Sequence, residues 1–185
     1  MTKSELRSEM KRKEKDFLAS GASVDETRDI WAAIEGSADF QRAGTVLIYM
    51  DIPGEVPTGD FITRWSGVKR FVIPLVCGDE LLLKYYDPER LVPGYRGILE
   101  PSADAEDVPV EAVELALVPG VAFVRPDGTA FPQCIAAPGE VFRMGRGKGF
   151  YDRLVPKLKC RCMAVGYSFR WVDALPLDPW DAPLK

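Results

Sequence analysis

A chain of 185 residues, 46% of them hydrophobic and carrying a formal charge of −4, suits a single domain over 1–185 that buries most of its apolar surface without help. The acidic balance argues against nucleic-acid binding by the whole surface, and no apolar run approaches a membrane span. There is no histidine, which removes Ser-His-Asp and Cys-His catalysis, imidazole metal ligation and imidazole acid–base chemistry. Any chemistry must rest on carboxylates, Lys, Arg, Tyr, a hard cation or the substrate's own nucleophile. The polar N-terminus does not read as a secretory signal. The four cysteines, Cys77, Cys134, Cys160 and Cys162, form no C-x-x-C pair, so reduced thiols in a cytoplasmic protein are expected.

The spacing predicts a first helix over residues 3–18 with Leu6, Met10 and Phe17 buried. Lys3 and Arg7 project from one face of it, among other cations and glutamates that read as a solvated surface. Ser23 and Glu26 predict a capping box ahead of a second helix through Ile30, Trp31 and Ile34. Thr45 to Met50 is a continuous apolar run, the mark of a strand buried on both faces. It breaks into a loop from Asp51 to Thr58, where Thr58 is expected to cap a short helix with Phe61, Ile62 and Trp65. Ligands collect at the carboxyl ends of strands in open α/β sheets, which places Met50 and Glu55 within reach of one. Phe71 to Val76 predicts another strand, with Pro74 near its end. Leu81 to Tyr86 follows, and then a Pro- and Gly-rich stretch from Asp87 to Pro109 carries Tyr95, Arg96 and Glu100. Glu114 to Pro119 and Arg161 to Ser168 are further strands. Between them, Val124 to Val141 has no clear periodicity. Apolar runs alternating with helices predict an α/β fold, a three-layer α/β/α sandwich with a mainly parallel sheet.

The densest chemistry lies from Arg143 to Arg153, where Gly145, Gly147 and Gly149 alternate with basic residues ahead of an amphipathic segment, Phe150 to Leu158. Glycines permit positive φ or close approach of a ligand, and successive outward N–H groups form an anion-binding concavity. Arg143, Arg146 and Lys148 would surround a phosphate held there. Asp152 is the odd charge; a carboxylate beside phosphate calls for a bridging divalent cation, and Mg²⁺ takes such a ligand set. The stretch is neither a Walker A loop nor a dinucleotide fingerprint.

Arg143-Met-Gly-Arg-Gly-Lys-Gly-Phe-Tyr-Asp152 resembles the signature of the 5-formyltetrahydrofolate cyclo-ligase (methenyltetrahydrofolate synthetase) family. Lys3-x-x-x-Arg7, Tyr49 to Glu55-Val-x-Thr58, Gly97-Ile-x-Glu-Pro101, Val118-Pro-Gly-Val-Ala-Phe123 and Asp181 follow in the family's order across almost the whole chain. The resemblance implies conversion of 5-formyltetrahydrofolate to 5,10-methenyltetrahydrofolate with hydrolysis of ATP to ADP and phosphate. It implies ATP contacts from Lys3, Arg7, Arg143, Met144, Gly145, Arg146, Gly147, Lys148, Gly149, Phe150 and Tyr151. Folate contacts would come from Met50, Glu55, Arg146, Gly147, Lys148, Gly149 and Phe150. Asp152 and Asp181 match Mg²⁺ ligands, and Arg143 with Lys148 would neutralise charge during phosphoryl transfer.

The chain departs from the family between Val124 and Arg143, where it has about ten additional residues by alignment to the motif. It also carries Trp180 where many members have a small polar residue or His, and it ends soon after Asp181, where members usually continue into a last strand. A cytoplasmic monomer with neither nucleic-acid nor membrane partners is expected. The rival readings are a sugar-phosphate isomerase or acyl transferase on a similar sheet, without ATP hydrolysis, and a non-catalytic anion- or RNA-binding module.

Overall fold

The apolar runs assemble into a five-stranded sheet. In the computed structural model, which describes residues 1–94, 97–124, 132, 139 and 141–185, its strands are β1 (Thr45–Leu47), β2 (Arg70–Cys77), β3 (Glu80–Tyr85), β6 (Leu115–Pro119) and β9 (Arg161–Val165). Their order is β3-β2-β1-β6-β9. The pairs β1–β2, β1–β6 and β6–β9 are parallel, whereas β3 returns antiparallel on β2 at one edge. Successive side chains point to opposite faces, so the continuous apolar runs supply two cores. Val46, Ile48, Phe71, Ile73, Leu115, Leu117, Met163 and Val165 face one layer, formed by helices α2 (Ser23–Gly36), α3 (Ala38–Arg42) and α4 (Gly59–Trp65). Leu47, Val72, Ala116, Val118, Cys162 and Ala164 face the other, against Leu154, Val155 and Leu158 in and after α5 (Phe150–Leu154). This is the three-layer sandwich expected from the alternation of runs and helices.

Helix α1 (Lys3–Ser20) packs elsewhere. Its Leu6 and Met10 press on Ala122 and Met144, which lie in β7 (Ala122–Val124) and β8 (Arg143–Met144). These two strands and β10 (Trp171–Val172) make a small second sheet. An antiparallel pair of β4 (Leu91–Pro93) and β5 (Leu99–Pro101) stands beside β2. Among the described residues no helix is long and apolar enough to cross a membrane.

Three local expectations are corrected. The capping box at Ser23 and Glu26 does not form, because Gly21 ends α1 in the left-handed region and Ala22 is already helical. No extended residue is left to present a capping oxygen, and Ser23 is the first helical residue. The Glu26 carboxylate instead accepts from the Ser168 backbone N–H at 2.8 Å and from its hydroxyl at 2.6 Å. Thr58 precedes α4 without capping it, because its backbone is in the helical region rather than extended; its N–H and hydroxyl both donate to Asp51 Oδ1. Pro74 sits mid-strand rather than near the end of β2, tolerated because the pairing with β1 has already ended at Val72. Tyr95, Arg96, Cys134 and most of the 124–142 excursion lie outside the described residues.

Candidate active site

The glycine loop follows directly from β8 and delivers the chain into α5. Gly147 and Gly149 take φ of 101° and 69°, values an L side chain rarely adopts. Gly145 serves another purpose: a Cβ there would lie 2.5 Å from Arg143 Nη2. The loop therefore lies tightly over a buried guanidinium. Arg143 Nε donates to the Pro119 carbonyl at 3.1 Å and Nη1 to Asp152 Oδ1 at 3.0 Å. Its guanidinium stands 5.1 Å from the centre of the Tyr151 ring. Burial pushes the Arg143 pKa down, opposed by Asp152, and burial likewise raises that of the Tyr151 phenol, opposed by Arg143. Arginine nonetheless stays charged.

Two cavities open on either side of this loop. The first, of about 500 Å³, lies at the carboxyl end of the sheet and is lined by Tyr49, Met50, Ile52, Pro53, Glu55, Pro74, Val76, Leu81 and Ile98 to Glu100, as well as Pro119 to Val121 and the loop. Its walls are mostly apolar. Glu100, 7% exposed, is one acidic group of this wall; Glu55 is another, with a side chain only 11% exposed and Oε1 3.4 Å from Arg146 Nη2. Burial raises the pKa of the Glu55 carboxyl, with Arg146 acting against the shift. The second cavity, about 390 Å³, is rich in charged side chains and lined by Lys3, Arg7, Met144, Arg153, Asp178, Trp180 and Asp181. Lys3 Nζ reaches Asp178 at 2.7 Å and Asp181 at 2.5 Å. Burial alone would lower the Lys3 pKa, but bonding to the two carboxylates outweighs it and raises it. Arg7 Nε donates to the Gly145 carbonyl at 3.0 Å. Arg143, Gly145, Gly147, Gly149 and Asp152 line both cavities.

The expected residues therefore distribute unevenly. Met50, Glu55, Arg146, Gly147, Lys148, Gly149 and Phe150 all line the first cavity. Of the expected ATP contacts, Lys3, Arg7, Arg143, Met144, Gly145, Gly147 and Gly149 line the second, whereas Arg146, Lys148, Phe150 and Tyr151 face only the first. Asp152 and Asp181 come from α5 and from the C-terminal segment to the same second cavity. No three His, Cys, Asp or Glu among the described residues cluster as an all-protein cage. Two carboxylates in one cavity nevertheless match what Mg²⁺ takes from protein when phosphate oxygens and water complete its shell.

Sequence reading missed the supports. Arg170, 2% exposed, donates through Nη2 to Glu14 at 2.6 Å and to the Gly54 carbonyl at 2.7 Å, and through Nη1 to the Val121 carbonyl at 3.0 Å. It ties the loop bearing Glu55 and the turn after β6, two walls of the first cavity, to α1. Gly54 has φ of 89°, and a side chain there would run into the Glu14 carboxylate. Asp178, the second partner of Lys3, was also unforeseen. The distances along the chain leave no local pattern to find: 156 residues separate Glu14 from Arg170, and 175 separate Lys3 from Asp178.

A family model described as the 5-formyltetrahydrofolate cyclo-ligase family matches residues 1–185. The chain belongs to this family. Among solved structures similar to this cyclo-ligase is the NMR structure of Aquifex aeolicus 5,10-methenyltetrahydrofolate synthetase. It is 31% identical over 100% of this chain and 87% of its own, with a TM-score of 0.81. A 5,10-methenyltetrahydrofolate synthetase from Mycoplasma pneumoniae, 22% identical over 98% of this chain and 94% of its own, shares the fold with a TM-score of 0.72. A search of curated proteins finds no match.

Proposed function

We propose that this cyclo-ligase converts 5-formyltetrahydrofolate and ATP to 5,10-methenyltetrahydrofolate, ADP and phosphate. Family membership and the 31% identical Aquifex synthetase support the reaction. The observation that carries it is the pair of cavities sharing one glycine wall. A two-substrate reaction needs its partners in contact, and alignment is the larger part of its catalysis. Three glycines offer no side chain to keep a folate in the apolar cavity from a triphosphate in the charged one.

In this scheme the formyl oxygen attacks the γ-phosphorus and ADP leaves. The substrate's second nitrogen then closes on the activated carbon as its proton is lost, and phosphate departs with the former formyl oxygen. No protein nucleophile is required, in keeping with a chain that lacks histidine. Lys3 and Arg7 hold the phosphate chain, while Arg143 on the shared wall and Lys148 beside it oppose the charge that develops on the transferred group. Glu55 accepts hydrogen bonds from the pterin's N–H donors, and Met50, Ile52 and Phe150 cover its rings. Asp152 and Asp181 would hold Mg²⁺, which supplies charge neutralisation to phosphate oxygens when bound. Lys3 and Arg143 neutralise these carboxylates in the free protein. A cytoplasmic setting is in keeping with free thiols at Cys77, Cys160 and Cys162, and we take the enzyme to act as a monomer.

The decisive assay follows the absorbance of methenyltetrahydrofolate and the release of ADP, omitting 5-formyltetrahydrofolate, ATP and Mg²⁺ in turn. Product should require all three. Product without ATP would sink the phosphoryl-transfer reading, and Asp152→Ala with full Mg²⁺-dependent turnover would sink the metal assignment.

A further inference from the structure

The chain has four tryptophans, and three are packed and bonded. Trp31 stacks on Phe61 with ring centres 4.1 Å apart and donates to the Pro57 carbonyl. Trp65 packs edge-on to Phe40 and donates to Glu35. Trp171 stacks on Phe123 and donates to the Gly166 carbonyl. Trp180 differs: its residue surface is 71% exposed, and it stands in the lining of the second cavity. An indole is a large apolar surface to leave in water, and the place where it is left is a cavity rich in charged side chains.

The backbone that displays it is fixed. The Asp181 N–H donates to the Asp178 carbonyl at 3.0 Å, closing a turn around Pro179 and Trp180. The Asp178 N–H donates back to Asp181 Oδ2 at 2.7 Å, and Lys3 pins both carboxylates from α1. Trp180 is therefore held at the corner of a tied turn. The cavity it borders has Lys3, Arg7, Arg143 and the glycine loop among its other walls. Cations together with a free aromatic face are what a nucleotide requires, the first for phosphates and the second for a base.

We infer that Trp180 is the base platform of the nucleotide site, a specificity-determining residue on which the purine ring of the triphosphate stacks. This rests on the nucleotide reading given above and adds to it a selectivity. A single π-face rewards the larger ring system, so purine nucleotides should bind more tightly than pyrimidine nucleotides, and Trp180 should be the source of the difference.

Calorimetric titration of wild type, Trp180→Ala and Trp180→Phe with ATP, CTP and inorganic tripolyphosphate, each with Mg²⁺, tests this. Loss of one stacking partner should weaken ATP about tenfold in Trp180→Ala, with Trp180→Phe recovering most of it. Tripolyphosphate, which has no base, should bind all three proteins within about twofold, and the ATP-over-CTP preference should collapse towards unity in Trp180→Ala. Undiminished ATP binding by Trp180→Ala would overturn the inference. So would an equal loss of ATP and tripolyphosphate, which would mean that the side chain shapes the phosphate end instead. If wild type binds tripolyphosphate but gains nothing from the base, only the platform fails. If it binds neither ligand, the nucleotide reading falls and the platform with it.

Discussion

The two cavities on either side of the glycine loop are built by opposite means. The first owes its shape to the sheet: Pro74, Val76 and Leu81 come from the β2–β3 pair, Met50 and Glu55 from the loop after β1, and Pro119 to Val121 from the end of β6. Apolar packing holds those walls, with Arg170 bracing two of them through carbonyl oxygens. The second is held by ion pairs between chain termini and loop, in which Lys3 joins Asp178 and Asp181, and Arg143 joins Asp152. A packed wall is formed before its ligand arrives. On the proposed function an ion-paired wall must exchange partners, since phosphate would compete for Lys3 and a divalent cation for Asp181. The difference teaches that folate affinity should follow shape and the Glu55 carboxyl, whereas nucleotide affinity should follow charge and salt.

The shared wall is where the comparison breaks most sharply. Arg143→Met removes the cation common to both cavities and leaves Asp152 unpaired, and should lower kcat by about 10²–10³ in the methenyltetrahydrofolate absorbance assay. Gly147→Ala forces an alanine to φ of 101°. The displaced wall should cost roughly a hundredfold in kcat/KM for folate and ATP together; an effect confined to one substrate would show that the cavities do not share that wall functionally.

Single-cavity variants should separate. Lys3→Ala should raise the KM for ATP about tenfold and leave that for folate alone, while Glu55→Gln should do the reverse to a similar degree. Glu55 also carries a pH signature. Its folded pKa is raised, so the folded state binds more protons than the unfolded chain between the unfolded value, about 4.3, and the folded one. Stability from this group is therefore lost as pH rises through that window, and the ionised carboxylate is a cost at neutral pH. Glu55→Gln should accordingly raise the Tm of the free protein at pH 7 by about 2 °C while weakening folate. A lower Tm would mean that the bond to Arg146 outweighs burial. The smallest effect on turnover belongs outside both cavities. Glu26→Ala removes two hydrogen bonds to Ser168 and should cost about 1.5 kcal/mol, roughly 4 °C in Tm, with turnover unchanged.

Much of the frame was legible beforehand because it is written in short periods. The continuous apolar runs at Thr45, Phe71, Glu114 and Arg161 required strands buried on both faces. The alternation in β6, with Leu115 and Leu117 to one core and Ala116 and Val118 to the other, shows why each run had to be unbroken. The glycine loop was legible for the same reason, since backbone freedom and charge sit within a few consecutive residues. Caps were less secure. Ser23 and Thr58 had suitable chemistry, but a cap also needs an extended backbone, and both Ala22 ahead of Ser23 and Thr58 itself lie in the helical region. Lys3 and Arg7, read from spacing as a solvated face, left that face only through the family resemblance.

By itself, then, the sequence determined the sheet, its two cores, the glycine-rich and cationic character of residues 143–153 and the exclusion of imidazole chemistry. All of these depend on residue type and on spacings of a few positions. The tertiary structure decided that one loop would wall two cavities, that Lys3 would meet Asp178 and Asp181, that Arg170 would brace Gly54 and Val121, and that one tryptophan would stand open on a charged rim. Those contacts join residues far apart along the chain. They arise from how packed layers bring distant segments together, which no local period encodes.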